Sequence, residues 1–256
     1  MTTIKGILFD KDGTIMSFHS LWINIAIDLV TDLCEKMETP YLKRRLLAEI
    51  GIIDHRIMPD SILAAGTTKD MTLAFQAIFN QENKRIDEHV IWIEEQLYLL
   101  MHKHVSKIEP TTDVVSLFTS LKNKGIKLGI ATADDQLSTS LCLKQLNAHH
   151  FFDFVGTSDI YKKKPDPHIF QQFCNKTQLT PEEVVVVGDN ITDLVFALNA
   201  HARYGIGVLS GTSQKKDLEP YAHFIIPTIQ DIIKPNGLLL WETESPIDQA
   251  TCSDAS

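Results

Sequence analysis

Asp10 and Asp12 stand two positions apart in Asp10-Lys11-Asp12-Gly13-Thr14, directly after the apolar run Ile7, Leu8 and Phe9. Residues two apart on a strand share a face, so the carboxylates converge unless the turn at Gly13 separates them. Two carboxylates that close do not both ionise cheaply, and the pair calls for a shared proton or a divalent cation. By themselves these residues read equally well as an Asp-Gly turn beside a helix cap. Three later segments tip the balance. Thr132 follows the apolar run 126–131, Lys164 ends a lysine run ahead of Pro165, and Asp189 and Asp193 follow four valines in Gly188-Asp189-Asn190-Ile191-Thr192-Asp193. A carboxylate pair, a hydroxyl, an ammonium and a second acidic pair together suit a phosphate and a hard divalent cation. Mg2+ takes oxygen ligands and keeps several waters, so one or two carboxylates plus a phosphate oxygen suffice to hold it. Singly, Thr132 also reads as a helix cap and Asp193 as an acid placed favourably in the first turn of a helix.

These groups meet only if each ends a strand at one edge of a sheet. An apolar run without polar alternation fits a strand covered on both faces, hence a parallel sheet flanked by helices. Runs at 126–131, 151–155, 184–187, 204–208 and 223–226 alternate with helical stretches, which predicts a doubly wound α/β core whose ligands bind beyond the carboxyl ends of the strands. Thr111 or Thr112 caps a helix running to Asn123, and Gly125 ends it. The next helix carries Leu137, Leu141 and Leu146 on one face, and prolines at 165 and 167 open another through Phe173. A short helix is expected at 228–233.

Between the first strand and the second the chain is helical. Leu21, Ile25, Leu29 and Leu33 recur every fourth position, and further helices are expected at 41–50, 69–79 and 86–104. The segment 52–67, with Pro59 and Gly66, reads as a loop or a broken connection. This block is expected to be a separate lid, so residues 1–14 and 108–240 form the core, 15–107 the helical cap and 241–256 a flexible acidic tail. Arg56, Ser61, Thr67 and Lys69 are the cap residues placed to contact a polar substrate, and Phe18, His19 and Trp22 to line the entrance or pack the hinge. His102 and His104, two apart on a helix, point away from each other and do not form a metal pair.

The 256 residues are enough for a sizeable core plus a smaller unit, and 44% apolar with 22% charged residues is ordinary globular composition. A net charge of -9 argues against nucleic acid and leaves an anionic substrate needing local positive charge, which Lys164 supplies. No apolar run approaches the ~20 residues of a membrane span, and no secretory signal is visible at Met1. Cys34, Cys142, Cys174 and Cys252 are scattered, as reduced thiols in a cytoplasmic protein would be.

The ordered set Asp-x-Asp-Gly-Thr, strand-end threonine, Lys-Pro and Gly-Asp-x-x-x-Asp resembles the haloacid dehalogenase superfamily, with a Rossmann-like core covering roughly 1–14 and 108–235. The helical insertion is similar to the cap of the phosphoglycolate phosphatase and β-phosphoglucomutase branch. The resemblance implies that Asp10 is the nucleophile and forms an aspartyl-phosphate, and that Asp12 is general acid and then base. It further implies Mg2+ on Asp10, Asp189 and the backbone carbonyl of Asp12, with Asp193 a ligand through water or an orienting group, and phosphate contacts from Thr132 and Lys164. Dehalogenases of this fold lack an acid at the position of Asp12, and ion-pumping ATPases have a threonine there, so phosphoryl transfer without a membrane is expected. Within that class the expected function is a phosphatase acting on a small phosphorylated metabolite, phosphoglycolate-like or a sugar phosphate, as monomer or homodimer. A phosphomutase, or a protein that only binds phosphorylated ligands, remains the alternative.

Overall fold

A computed structural model describes residues 3–54, 56–58, 61–86 and 90–247. Pro59, the start of the helix predicted over 86–104, Cys252 and the tail beyond 247 lie outside the described residues, as does the side chain of His19. The chain opens with β1 (Gly6–Phe9), followed by α1 (Phe18–Lys36), α2 (Lys43–Glu49), β2 (Ile52–Ile53), β3 (Arg56–Ile57), α3 (Ile62–Ala65), α4 (Thr68–Gln81) and α5 (Val90–His104). There follow α6 (Val114–Asn123), β4 (Lys127–Ala131), α7 (Gln136–Gln145), β5 (Phe154–Gly156), α8 (His168–Thr177) and β6 (Val184–Gly188). The chain closes with α9 (Ile191–Asn199), β7 (Tyr204–Val208), α10 (Lys215–Leu218), β8 (Phe224–Ile226) and α11 (Leu240–Thr243).

Six strands form one parallel sheet in the order β5-β4-β1-β6-β7-β8. Connections run outward from β1 through β4 to β5, then cross to β6 and run outward the other way. The reversal falls at β1 and β6, where an open sheet leaves a crevice beyond its carboxyl ends. Ile7, Leu8, Phe9 and Val184 to Val187 are at most 2% exposed, as expected of central strands covered on both faces.

The predicted stripe of α1, Leu21, Ile25, Leu29 and Leu33, is fully buried. Asp28 on the same helix accepts from Lys103 Nζ at 2.8 Å and lies 2.9 Å from His104 Nε2 on α5, while His102 stacks edge-on against Tyr98, so the two histidines have separate partners. At the join to the sheet, Ser17 N donates to Glu109 O and Thr111 N to Ile15 O, so the outgoing and returning chains lie side by side.

Several local expectations are corrected. Residues 52–67 are not a plain loop, because β2 and β3 pair antiparallel and α3 adds one helical turn capped by Ser61. Asp113, not Thr111 or Thr112, caps α6, accepting from Ser116 N at 3.1 Å; Thr111 Oγ1 instead bonds Thr14 O and Thr112 Oγ1 bonds Gln230. On α7, Leu137 is exposed, and the buried face is Ser138, Thr139, Cys142 and Leu143, continued by Leu146. At the far end Leu240 is buried, Trp241 packs on the core and Ile247 N donates to His223 O, so the chain holds to the body through 247.

Candidate active site

Asp10 leaves β1 with its N–H still paired to Val187 O at 2.8 Å, which aims its side chain into the crevice beside β6. The turn that follows needs Gly13: its φ is +80°, and a Cβ there would meet the Asp189 carboxylate at 2.7 Å. Asp189 in turn accepts from Thr212 N at 2.7 Å and from Thr212 Oγ1 at 3.1 Å, two donors that fix its rotamer.

Lys164 Nζ ties the two halves of the site, donating to Asp10 Oδ1 at 2.7 Å and to Asp193 Oδ1 at 2.5 Å. Asp193 also serves its helix, for its Oδ2 accepts from Asn190 N at 3.3 Å while Asn190 Oδ1 caps Asp193 N. Asp193 thus faces the cleft while also closing the capping box of α9. Burial pushes Asp10 up to about 7, with Lys164 opposing and Asp193 and Asp12 adding to the rise. Asp189 is raised well above the carboxylate range by burial and then by Asp10 and Asp193. Burial disfavours the Lys164 ammonium, but Asp10 and Asp193 outweigh it and hold its pKa above normal.

Three acids thus crowd together, with one ammonium bridging two of them. One ligand atom from each of Asp10, Asp189 and Asp193 lies within 4.8 Å of the others, and Asp10 Oδ2 is buried without a partner. An all-oxygen donor set with unrelieved negative charge and an orphaned carboxylate oxygen fits a hard divalent cation.

The first two carboxylates have separate partners. Asp12 Oδ1 accepts from Trp22 Nε1 at 2.7 Å, and its Oδ2 lies 2.5 Å from Lys11 Nζ. Lys11 is fully buried and also sits 3.3 Å from Asp134 Oδ2, with Met16 Sδ and Cys142 Sγ nearby. Lys11 and Asp134 were not singled out in the sequence as site groups, and Trp22 was expected at the entrance or hinge but not as a partner of Asp12. A lysine inside an otherwise apolar strand end was the available signal, since a buried ammonium demands acidic partners. Thr132 is buried in the same cleft; its Oγ1 accepts from Asp134 N at 3.1 Å, and the cap of α7 is Asp135.

The cleft, about 60 Å³, has Asp10, Asp12, Thr132, Lys164 and Asp193 on the sheet side and Trp22, α3, Met71 and Leu97 on the other. Thr67 lines it too, but its hydroxyl donates to Asp70 Oδ2 and accepts from Asp70 N, closing a capping box on α4. Ser61 Oγ accepts from Ala64 N, and Phe18 stacks on Trp22 at the cleft wall. Arg56 is exposed on β3 away from the cleft, and Lys69 is exposed in a neighbouring groove. Lys163 bridges sheet unit to helical unit, donating to Asp70 Oδ2 at 2.6 Å.

Against known proteins, the chain is 27% identical over 241 residues to pyrophosphatase PpaX of Anoxybacillus flavithermus, covering 92% of this chain and 98% of that one. It is 25% identical over 216 residues to a phosphorylated carbohydrates phosphatase of Thermotoga maritima, covering 84% and 90%. The fold superposes on a HAD phosphatase from Thermococcus onnurineus with TM-score 0.66 at 23% identity, covering 91% and 98%. The haloacid dehalogenase-like hydrolase family matches residues 4–201, spanning every element that builds the cleft floor, and the chain belongs to that family.

Proposed function

We propose that the protein is a Mg2+-dependent phosphatase that hydrolyses a small phosphorylated metabolite through an aspartyl-phosphate on Asp10, with phosphoglycolate-like esters and sugar phosphates as the leading classes. The observation that carries this reading is the state of Asp10: one oxygen held by Lys164, the other buried and unpartnered in the cleft. The phosphatase names of the relatives support it. In this reading residues 1–14 and 108–240 are the catalytic core and 15–107 the cap.

Asp10 attacks phosphorus in line; the bond to the leaving oxygen breaks, and that oxygen takes a proton from Asp12. Water then attacks the aspartyl-phosphate, Asp12 takes its proton, and the bond from Asp10 to phosphorus breaks. Trp22 and Lys11 hold the two Asp12 oxygens, which orients the carboxyl for both transfers. Lys164 and Thr132 face the remaining phosphoryl oxygens and compensate their charge from fixed positions. Asp10, Asp189 and the Asp12 carbonyl would hold Mg2+, with Asp193 orienting. Bound there, the ion supplies charge compensation at the phosphoryl oxygens.

The test is phosphate release with Mg2+ across phosphorylated metabolites, followed by acid quench and mapping of the labelled residue. Label on Asp10, and loss of release in Asp10→Asn with an unchanged melting transition, are expected. Turnover retained by a folded Asp10→Asn protein removes Asp10 as nucleophile.

A further inference from the structure

The wall opposite Asp10 is apolar. Trp22, Ile62, Leu63, Ala65, Met71 and Leu97 face the carboxylates across the cleft. On that side the Trp22 N–H is engaged on Asp12 and the Thr67 hydroxyl on Asp70, so the neutral Thr68 hydroxyl is the further polar side chain among the described lining residues of that wall. Among the described residues lining the cleft, Lys164 is the one cation, and it is held between Asp10 and Asp193. Other cations lie outside the cleft lining, with Lys163 of the sheet unit paired to Asp70, Lys69 in the neighbouring groove and Arg56 exposed on β3.

An anionic leaving group pressed against such a wall loses its hydration and finds no cation there to replace it. It also meets Asp12 and Asp134 on the floor, two acids that already share the buried Lys11 and leave it no free cation to pair with. A neutral leaving group meets neither cost and gains by covering apolar surface. We propose that this cleft selects phosphomonoesters with a small, neutral leaving group and turns away leaving groups that bear a carboxylate or a second phosphate. The inference rests on the phosphatase reading above and narrows it, setting neutral esters ahead of phosphoglycolate.

The experiment compares kcat/KM, with Mg2+, for n-propyl phosphate, phosphoglycolate and pyrophosphate. The expected preference for propyl phosphate over phosphoglycolate is about tenfold or more, the discrimination a few mismatched contacts produce. Equal or faster turnover of phosphoglycolate or pyrophosphate overturns the inference and leaves the phosphatase reading standing. Release from none of the three, nor from a wider panel, removes the phosphatase reading and this inference with it. Ala65, half-buried and outside the packed core clusters, tests the cause. Ala65→Lys should raise kcat/KM for phosphoglycolate about tenfold, the size of one charge-assisted contact, whereas Ala65→Gln should not. An equal rise in both variants overturns the charge argument, and the wild-type comparison decides should Ala65→Lys fail to fold.

Discussion

On the sheet side of the cleft Asp10, Lys164, Asp189 and Asp193 are each at most 7% exposed and each is held by a strand end, a capped helix or a short loop. On the helical side α3 is a single half-buried turn, joined to its neighbours by Leu63 N to Ile50 O and by the Ser61 cap. The sheet side concentrates charge where the backbone is over-determined, so geometry survives the repulsion of three acids. A one-turn helix has no stability of its own and takes its place from what it packs against. The difference separates two tasks. Chemistry needs fixed charges, whereas selection needs only a surface of the right polarity, and that surface can change without disturbing the floor.

The largest stability effect outside the reacting groups is expected at Lys11. Lys11→Met leaves Asp12 and Asp134 without their shared cation and should destabilise by about 3 kcal/mol, the cost of breaking a buried pair. Chemical denaturation measures it, and adding Asp134→Asn should recover part of the loss. A near-neutral Lys11→Met would mean the floor does not depend on that ion cluster.

A second effect tests the crowded acids. With Asp10 held up at about 7 and Asp189 also raised by burial, the metal-free folded state keeps protons that the unfolded chain releases near pH 4. Its stability therefore falls as pH rises through that window, and it is greatest on the acid side. Mg2+ binds the deprotonated carboxylates, so it should raise the melting temperature more at pH 8 than at pH 5. A cation effect equal at both would show that charge crowding is not what destabilises the floor.

The smallest effect belongs to the roof. Asp70→Ala removes the α4 capping box and the bridge to Lys163 and should cost about 1 kcal/mol, with KM raised more than kcat is lowered. Thermal melts and steady-state rates check both. A loss larger than that of Lys11→Met would reverse the ranking of the two walls.

Much of the sheet side was legible because its signals are local. Apolar runs bounded by Gly and Asp, with Asp10, Asp12, Asp189 and Asp193 at fixed offsets, state both the strand and the group at its end. The α1 stripe was legible for the same reason, as period and burial coincide over nineteen residues. The region 52–67 was not, because two-residue strands and a one-turn helix are shorter than any period. Asp113 displaced the nearby threonines as a cap because Thr111 and Thr112 were drawn to Thr14 and Gln230, partners far along the chain.

By itself the sequence determined the strand ends and the chemical type of each group they carry, since these depend on neighbours within a few residues. The tertiary structure alone decided that Lys11 turns inward to Asp134, that Trp22 holds Asp12, that Arg56 stays outside the cleft and that an apolar turn roofs it. Those outcomes depend on which distant segments meet when the helical insertion folds onto the sheet, and burial and pairing between segments leave no periodic trace in either one.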